Sequence, residues 1–293
     1  MIPTAGTAND SLVRQVQKAL GEKSQAARFA PLLYGHNGFD GADAPPPAWL
    51  AGNARAALEF IAEKPKKKHK LRVRPVAAAD GSAQSTVVEI LNDDMPFLVD
   101  SVMGELQARG LAVRFFLHPI FKTERDKAGH LQSLLGAGDQ NWSDGHQESY
   151  IAVHLSPLSE AAQRDLAKAL SEILISVRGV VADWQPMRQQ VRAAIRHLEA
   201  APPGVPAGEL RESIAFLQWL EAGNFTFLGS REYKLSGRLD TGDLMPAEKA
   251  GLGVLRDPAV HVLRRGSELV DMTPEIRRFY AAPAPSSSPR PTS

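Results

Sequence analysis

Three carboxylates stand close together in the sequence, and they are the first residues whose types and spacing suggest chemistry: Asp93, Asp94 and Asp100. Carboxylates grouped in this way can exchange protons with a substrate or hold a hard metal ion. The same residues also suit the start of a helix, because acidic side chains accept its free amide hydrogens and interact favourably with its positive end. We favour the capping role, since acidic residues are expected where a helix begins.

The other patterns that could support catalysis are incomplete. None of the eight histidines has the spacing of a zinc-binding helix. Gly136-Ala-Gly138 and Gly251-Leu-Gly253 lack the remaining residues of a phosphate-binding loop. The chain has no cysteine, which excludes disulfides, thiolate metal sites and a cysteine nucleophile. We therefore predict no catalytic residue, no cofactor and no metal in this chain.

A dense basic run from Lys64 to Arg74 could bind nucleic acid or an anionic membrane surface. No aromatic residue is interleaved with the basic ones to stack on bases. Lys and Arg together number 34 and Asp and Glu 33, so no overall field would attract such partners. We interpret the run as a solvated linker that leads into a strand, and we predict neither a nucleic-acid nor a membrane partner.

The location of the protein is predicted from features that the sequence lacks. Its first ten residues do not form the basic and apolar pattern of a secretion signal, and no apolar stretch approaches the ~18 residues of a membrane span. Together with the absence of cysteine, this predicts a cytoplasmic protein.

The apolar periodicity predicts a helical region and basic linker over residues 1–75. From Asp10 to Phe29, apolar residues recur at spacings of three and four, as on one face of a helix. A second stripe of this kind runs from Trp49 to Ile61 after an interruption rich in glycine and proline.

Residues 76–188 are predicted to form a compact domain of strands and helices. The predicted elements are a strand at Thr86–Leu91, a helix from Leu98 to Gly110, a strand at Leu111–Phe121 with an edge or bulge at His118-Pro119, a loop at Lys122–Gln147, a strand at Glu148–Leu155, a helix capped by Ser159, and a strand at Val180–Trp184. This order is that of a split βαβ, ferredoxin-like domain. The predicted fold class is therefore α+β.

Residues 189–280 are predicted to be a pair of helices followed by the start of a second β-containing unit, and the Pro/Ser-rich residues 281–293 a disordered tail. At the junction, Asp183-Trp184 and Arg188 could clamp a substrate or form a packed corner. We favour packing, with the indole over the end of the sheet and Arg188 paired with a carboxylate, because large aromatic side chains are usually buried.

Three segments resemble the large bacterial NAD-specific glutamate dehydrogenases in their amino-terminal region. They are Val88-Glu-Ile-Leu-Asn-Asp-Asp-Met-Pro-Phe-Leu-Val-Asp-Ser-Val102, Asp183-Trp-Gln-Pro-Met-Arg188 and Trp219-Leu-Glu-Ala-Gly-Asn-Phe-Thr-Phe-Leu-Gly-Ser-Arg-Glu-Tyr233. The resemblance implies helical and ACT-type modules, with the catalytic domains far downstream and absent from this chain. The resemblance therefore implies, as the first hypothesis, that this chain is a regulatory and oligomerisation region. Such a region would pair with another copy or with the catalytic part of the dehydrogenase.

The resemblance to ACT domains also implies a place for an amino-acid effector, at the turn between the first strand and the first helix. That turn comprises Asn92, Asp93, Asp94, Met95, Pro96 and Phe97. Many ACT domains that bind amino acids have a glycine after the proline, whereas this chain has Phe97. A free-standing amino-acid sensor is therefore the alternative hypothesis. An active enzyme would require NAD-dependent turnover from this chain alone, and no feature of the sequence supports it.

Overall fold

The computed structural model describes residues 5–35, 45–77, 84–137, 146–200, 206–237, 243–247, 251–258 and 260. They belong to two compact units, which we call the sheet unit (Met1–Leu174) and the carboxyl-terminal unit (Ile175–Ser293). The chain combines helices with antiparallel strands, so the predicted α+β class is confirmed. The predicted domain boundaries stay predictions, and the predicted tail at 281–293 lies outside the described residues.

The sheet unit begins with three helices, α1 (Ala5–Leu20), α2 (Gln25–Tyr34) and α3 (Pro47–Ile61). The single stripe predicted from Asp10 to Phe29 is therefore divided. Gly21 takes a left-handed conformation that ends α1, and the Ser24 hydroxyl accepts the amide hydrogen of Ala27 to begin α2. The predicted second helix is confirmed as α3.

Six strands form the sheet of this unit. They are β1 (Lys70–Ala77), β2 (Gln84–Asp93), β3 (Val113–Leu117), β4 (Ile120–Arg125), β5 (Leu131–Ala137) and β6 (His146–Leu155). Their order is β1-β2-β6-β4-β5, with β3 also paired to β6, and all the pairs are antiparallel. The break between β3 and β4 falls at His118-Pro119, where the sequence predicted an irregularity within one strand.

The predicted loop at Lys122–Gln147 is wrong over most of its described length. Strand β4 continues to Arg125, and β5 occupies Leu131–Ala137 within the stretch that had been interpreted as a loop. Leu131 and Leu134 pack against the hydrophobic core, although the neighbouring polar residues and Gly136 conceal this pattern in the sequence. The pairing of β4 with β5 shifts its register twice, which further blurs the alternation of apolar and polar residues.

Two helices complete the sheet unit, α4 (Leu98–Ala108) and the first part of the long helix α5 (Glu160–Glu199). The Ser159 hydroxyl accepts the amide hydrogen of Ala162, as the predicted cap requires. Helix α4 connects β2 to β3, and β6 lies between these two strands in the sheet. This is a split βαβ connection, and β1 occupies the edge beside β2.

The two faces of the sheet are both buried. On one face, Val87, Leu91 and Tyr150 belong to the core that also contains the buried side chains of α1, α2 and α3. The alternate residues, such as Val88 and Ile151, point to the opposite face and are also buried. A hydrogen bond from the Leu158 amide to the Thr86 hydroxyl joins that second face to the segment leading into α5.

The last predicted strand, Val180–Trp184, is wrong because α5 continues through it to Glu199. Val177, Val180, Asp183 and Met187 recur at spacings of three and four and are all buried. A helical stripe therefore overrides the local preference of two adjacent valines for a strand. The separate helix predicted after Pro186 is the continuation of α5.

The described part of the carboxyl-terminal unit contains the rest of α5, the helix α6 (Ala207–Trp219) and four short strands. A single π-helical turn, Leu220–Asn224, follows α6. The strands are β7 (Gly229–Ser230), β8 (Tyr233–Ser236), β9 (Asp243–Pro246) and β10 (Leu252–Gly253). A 3₁₀ turn spans Val254–Arg256. Strand β7 pairs with β10 and β8 with β9. These short strands lie in the stretch that was predicted to begin a second β-containing unit. No helix in the described ranges is both long and apolar enough to cross a bilayer.

Candidate functional site

Charged side chains meet at one end of the sheet, and we call them the ionic cluster: Lys64, Asp93, Arg125, His146 and Glu148. Asp93 is the last residue of β2 and lies opposite Glu148 of β6. His146 begins β6, and Arg125 ends the neighbouring strand β4. Because adjacent antiparallel strands bring the end of one beside the start of the next, residues far apart in sequence gather here.

The ionic cluster balances two carboxylates against two permanent cations. The Nζ atom of Lys64 lies 2.6 Å from Oδ1 of Asp93 and 3.5 Å from Oε1 of Glu148. Arg125 donates to both carboxylate oxygens of Glu148, each over 2.8 Å. The side chains of Glu148 and Lys64 are only 0% and 3% exposed. Such buried charges are tolerated because each has an opposite charge within hydrogen-bond distance.

Backbone hydrogen bonds fix the cations of the ionic cluster in place. The Lys64 amide donates to the carbonyl oxygen of Gly129 over 3.0 Å, and Arg125 donates to the same oxygen over 2.9 Å. Gly129 has a φ angle of +98°, and a Cβ atom there would lie 2.2 Å from the Lys64 carbonyl oxygen. Only glycine fits this close approach. The turn between β4 and β5 thereby holds the segment that follows α3.

Asp93, His146 and Glu148 each offer a ligand atom, and these atoms lie within 4.8 Å of one another. The set has the donor chemistry of a metal site, but the arrangement does not fit one. The Lys64 ammonium contacts Asp93 and Glu148 in the position that a bound cation would take, and Arg125 uses both oxygens of Glu148. The positive charge that these carboxylates need is already supplied by the chain.

A cavity of about 300 Å³ opens beside the ionic cluster. Its walls are Lys64, Lys66, Lys67, Asp93, Arg125, Asp126, Gly129, His146 and Glu148. Lys66 and Lys67 are exposed on its rim, and His146 reaches over it to Asp93, with 2.8 Å between Nε2 and Oδ1. The cavity therefore offers both signs of charge to a small polar ligand.

The structure places the predicted ligand turn next to this cavity, but only Asp93 among its residues lines it. The side-chain amide of Asn92 donates to the Asp93 carbonyl oxygen. The backbone amide of Asp94 donates to the carbonyl oxygen of Gln147. Helix α4 begins at Leu98, and its cap is Phe97 in a left-handed conformation, without a side-chain hydrogen bond. Phe97, rather than Asp93 or Asp94, therefore occupies the cap position. Asp100 does lie in the first turn, as expected for an acidic residue.

The turn presents an aromatic side chain to solvent where the resemblance would place a glycine. Phe97 has a φ angle of +70°, and its ring is 39% exposed. Pro96 lies two residues before the start of α4 at Leu98. A non-glycine residue with positive φ is uncommon, so the surrounding structure must hold this conformation.

A second buried charge was missed in the sequence. Glu89 in the middle of β2 is 1% exposed and accepts hydrogen bonds from Arg72 over 2.9 Å and from Arg74 over 2.8 Å. The hydroxyl of Tyr150 donates to it over 3.0 Å. Burial and this carboxylate raise the pKa of Tyr150 well above its usual value. An acidic residue in an otherwise apolar strand was the available signal.

The basic run from Lys64 to Arg74 is largely used inside the protein. Lys64, Arg72 and Arg74 pair with buried carboxylates, and Lys70 donates to the carbonyl oxygens of Phe60 and Glu63. The prediction that the run leads into a strand is confirmed by β1. Its description as a solvated linker holds only for its exposed residues, such as Lys66 and Lys67.

The carboxyl-terminal unit contains the other candidate, Asp183-Trp184 with Arg188. Asp183 is buried and accepts hydrogen bonds from Arg256 and from the amide of Gly253. Arg256 and this amide lower the pKa of Asp183. Arg188 pairs with Glu221, as predicted. The predicted burial of the indole is wrong, because Trp184 is 45% exposed, with the Arg188 guanidinium over its ring.

Comparison with known proteins finds a family model that matches most of the sheet unit. Residues 29–170 match the family described as glutamate dehydrogenase, ACT1 domain. The predicted resemblance is confirmed. The chain is 38% identical over 172 residues to the NAD-specific glutamate dehydrogenase of Pseudomonas aeruginosa and 36% identical over 211 residues to that of Halomonas elongata. A relative of the same name in Mycobacterium tuberculosis is 24% identical over 181 residues.

The matched part, which we call the ACT1 region (residues 29–170), contains the ionic cluster and the predicted ligand turn. The alignments cover 58% and 71% of this chain but only 11% and 13% of the Pseudomonas and Halomonas proteins. The chain thus spans about an eighth of the length of these relatives. This proportion is consistent with an amino-terminal region of a much larger enzyme.

Proposed function

We propose that the chain is a non-catalytic regulatory and assembly region of an NAD-dependent glutamate dehydrogenase. The observation that carries this proposal is the match of the ACT1 region to the ACT1 domain of glutamate dehydrogenases, within relatives of which the chain covers only a small part. The conversion of glutamate to 2-oxoglutarate would then belong to polypeptide that this chain does not include. Its partners would be another copy or that catalytic part.

The topology supports an ACT-type, ferredoxin-like assignment for the sheet. Strands β2 and β3 are joined through α4 with β6 between them, as in a split βαβ unit. The fourth strand of such a domain would lie antiparallel beside the first, which here is β2. Strand β1 takes this place, although it comes from the chain before β2 rather than after α5. We propose that the domain is closed by this upstream strand.

The charges of the ionic cluster support a structural rather than a catalytic role. Each of its carboxylates has a cation within hydrogen-bond distance, so both are already engaged in ion pairs within the chain. A cytoplasmic location stays a prediction.

Sedimentation equilibrium of the purified chain, together with an assay of NAD-dependent glutamate oxidation, tests the proposal. We expect self-association, or association with the catalytic part of a related dehydrogenase, and no turnover from the chain alone. Turnover by the chain alone would contradict the non-catalytic role. A monomer that also ignores the catalytic part would contradict the assembly role.

A free-standing amino-acid sensor is the second candidate, favoured by the ion-lined cavity beside the predicted turn. A zwitterionic ligand could place its carboxylate near Lys66 and Lys67 and its ammonium group near Asp126. A ligand that binds only the folded state must raise the unfolding midpoint. We would measure this midpoint against a panel of amino acids, with Lys66→Ala and Asp126→Ala as separate variants. No shift for any amino acid at millimolar concentration would exclude the sensor.

A further inference from the structure

Two lysines on the rim of the cavity beside the ionic cluster are not used inside the protein. Lys66 and Lys67 are exposed and line this cavity. Within the described part of the chain, no hydrogen bond or ion pair engages their ammonium groups or their backbone amides. Lys64, by contrast, is buried and paired with Asp93. The rim therefore carries positive charge that no described residue neutralises.

The carboxylates that line the same cavity already have partners. Asp93 and Glu148 are neutralised by the buried cations of the ionic cluster. Asp126 accepts hydrogen bonds from the backbone amides of Ala128 and His130, and its other oxygen lies 3.0 Å from Nδ1 of His130. The charge that remains for a ligand is that of the two rim lysines, so the cavity suits an anion better than a cation.

The backbone of the turn that carries these lysines also suits an anion. The Lys68 amide donates to the carbonyl oxygen of Pro65 over 3.4 Å, which closes a turn around Lys66 and Lys67. Lys67 has a φ angle of +53°, a left-handed conformation that is uncommon for any residue except glycine. Successive amides in such a turn can form a concave nest that binds anions. Strain of this kind is often retained where a ligand is held.

The groups that remain available favour a phosphate over a carboxylate. Arginine binds a carboxylate through two parallel hydrogen bonds, whereas lysine is a common phosphate ligand that acts as a point charge. The arginine of the cavity, Arg125, already uses both oxygens of Glu148. The volume of about 300 Å³ lies at the small end of ligand pockets. The run from Lys64 to Arg74 has no aromatic residue that could stack on bases, which disfavours a nucleic acid.

We propose that the turn at Lys66 and Lys67 binds the phosphate group of a small molecule. The two ammonium groups neutralise the phosphate, and the free amides of the turn donate to its oxygens. The hydrogen bond from the Lys64 amide to the Gly129 carbonyl oxygen anchors the turn to the sheet. This proposal goes beyond the assembly function, because the site lies within one copy of the chain and needs no catalytic part.

Isothermal titration calorimetry of the whole chain with inorganic phosphate and pyrophosphate tests the site. We expect one site per chain, with pyrophosphate bound more tightly because it carries more negative charge. Added salt should weaken the binding, since the lysines are exposed. Malonate, a small dicarboxylate, and glutamate are titrated under the same conditions as competing classes of ligand, and both should bind more weakly than pyrophosphate.

The decisive variant combines Lys66→Ala with Lys67→Gly. Glycine removes the charge of Lys67 and adopts its positive φ without strain, so the variant should remain folded. We expect it to bind pyrophosphate more weakly by about tenfold or more. The matched control combines Lys18→Ala with Lys23→Ala, which removes the same charge from two exposed lysines that do not line the cavity. Circular dichroism verifies that both variants are folded.

The other outcomes would each overturn the phosphate site. Absence of binding by both probes at millimolar concentration would exclude it. Equal losses in the two double variants would mean that the probes respond to overall charge. Malonate or glutamate bound as tightly as pyrophosphate would make this a carboxylate site, and glutamate would favour the sensor. A single-stranded oligonucleotide or anionic lipid vesicles bound without pyrophosphate binding would assign the lysines to a macromolecular surface. Sedimentation measures assembly separately, so none of these results decides it.

Discussion

The sheet unit and the carboxyl-terminal unit use charge in opposite ways. In the sheet unit, Glu89 and Glu148 are buried and held by cations from neighbouring strands. In the carboxyl-terminal unit, the cations that meet Asp183 and Glu221 are themselves about half exposed, as in Arg256 and Arg192. Glu89 and Glu148 thus depend on their partners to remain buried, whereas water reaches the guanidinium groups of Arg192 and Arg256.

The two units also differ in how far their large apolar side chains are buried. The sheet unit encloses a core between its helices and its sheet. Helix α6 contributes no buried side chain, and large apolar residues are exposed in the carboxyl-terminal unit. They include Ile175, Trp184, Phe216, Trp219, Phe225 and Leu228. The sheet unit is thus stabilised from within, whereas in the described part of the carboxyl-terminal unit the buried apolar side chains lie on α5.

The substitution expected to have the largest effect on stability is Glu148→Ala in the sheet unit. The substitution leaves Arg125 and Lys64 buried with one fewer opposite charge, and we expect it to lower the free energy of unfolding by about 3–5 kcal/mol. Urea denaturation followed by far-ultraviolet circular dichroism measures the loss. The matched control is Glu160→Ala at the exposed start of α5, which should leave the midpoint unchanged. Equal effects of the two substitutions would refute a structural role for the ionic cluster.

The second prediction concerns the pH dependence of the sheet unit. His154 is buried against the rings of Trp49 and Phe115, and its Nδ1 has no hydrogen-bond partner in the described part of the chain. Burial, followed by the charge of Arg74, lowers the pKa of His154 from 6.5 to about 3. The unfolded chain therefore binds the proton first, and stability falls as pH falls below the unfolded value. The loss between pH 6.5 and about pH 5 should be about 2 kcal/mol.

His154→Phe should remove this part of the pH dependence, because no proton is then taken up on unfolding. Urea midpoints at several pH values would give the slope, and His197→Gln, at an exposed histidine, serves as the control. An unchanged slope in His154→Phe would mean that the imidazole is hydrated or partnered in solution.

The elements with strong local patterns could be predicted from the sequence, and those that depend on distant contacts could not. The apolar run of β2 and the stripe of α4 are readable in a short window. The strand predicted at Val180–Trp184 failed because its local β-branched residues belong to a longer helical stripe that ends beyond Met187. Strand β5 was missed because bulges interrupt its alternation.

The ionic cluster illustrates the same limit for the site. Asp93 could be singled out because it stands between a strand and a helix. Its partner Lys64 is 29 residues earlier, and His146 is 53 residues later. Nothing local to these partners indicates a shared site, since the strand order alone brings them together. An acidic residue inside an apolar run, as at Glu89 within Val87–Leu91, is a further signal that the sequence carries.

A smaller effect is expected from Asp183→Asn in the carboxyl-terminal unit. The change keeps an acceptor for the Gly253 amide but removes the charge that Arg256 contacts, and we expect a local loss of about 1 kcal/mol. Arg256 lowers the pKa of Asp183, so this stabilisation is present above the unfolded pKa and is lost as pH falls through the folded one. Hydrogen exchange of residues 251–258 measures it, with Asp165→Asn as an exposed control. Faster exchange in the control alone would contradict the assignment.

The smallest effect should come from Arg192→Ala. Arg192 lies 2.7 Å from Glu221, but Arg188 contacts the same carboxylate and also donates to the Glu221 carbonyl oxygen over 3.1 Å. Because Arg192 is half exposed and Arg188 still pairs with Glu221 in the variant, the unfolding midpoint should not change measurably. A double-mutant cycle with Arg188→Ala should show coupling between the two arginines, so that Arg192→Ala lowers stability only when Arg188 has also been replaced. If Arg192→Ala alone is destabilising and high salt does not reduce its effect, this ion pair behaves as the buried ones of the sheet unit do, and the contrast between the two units fails.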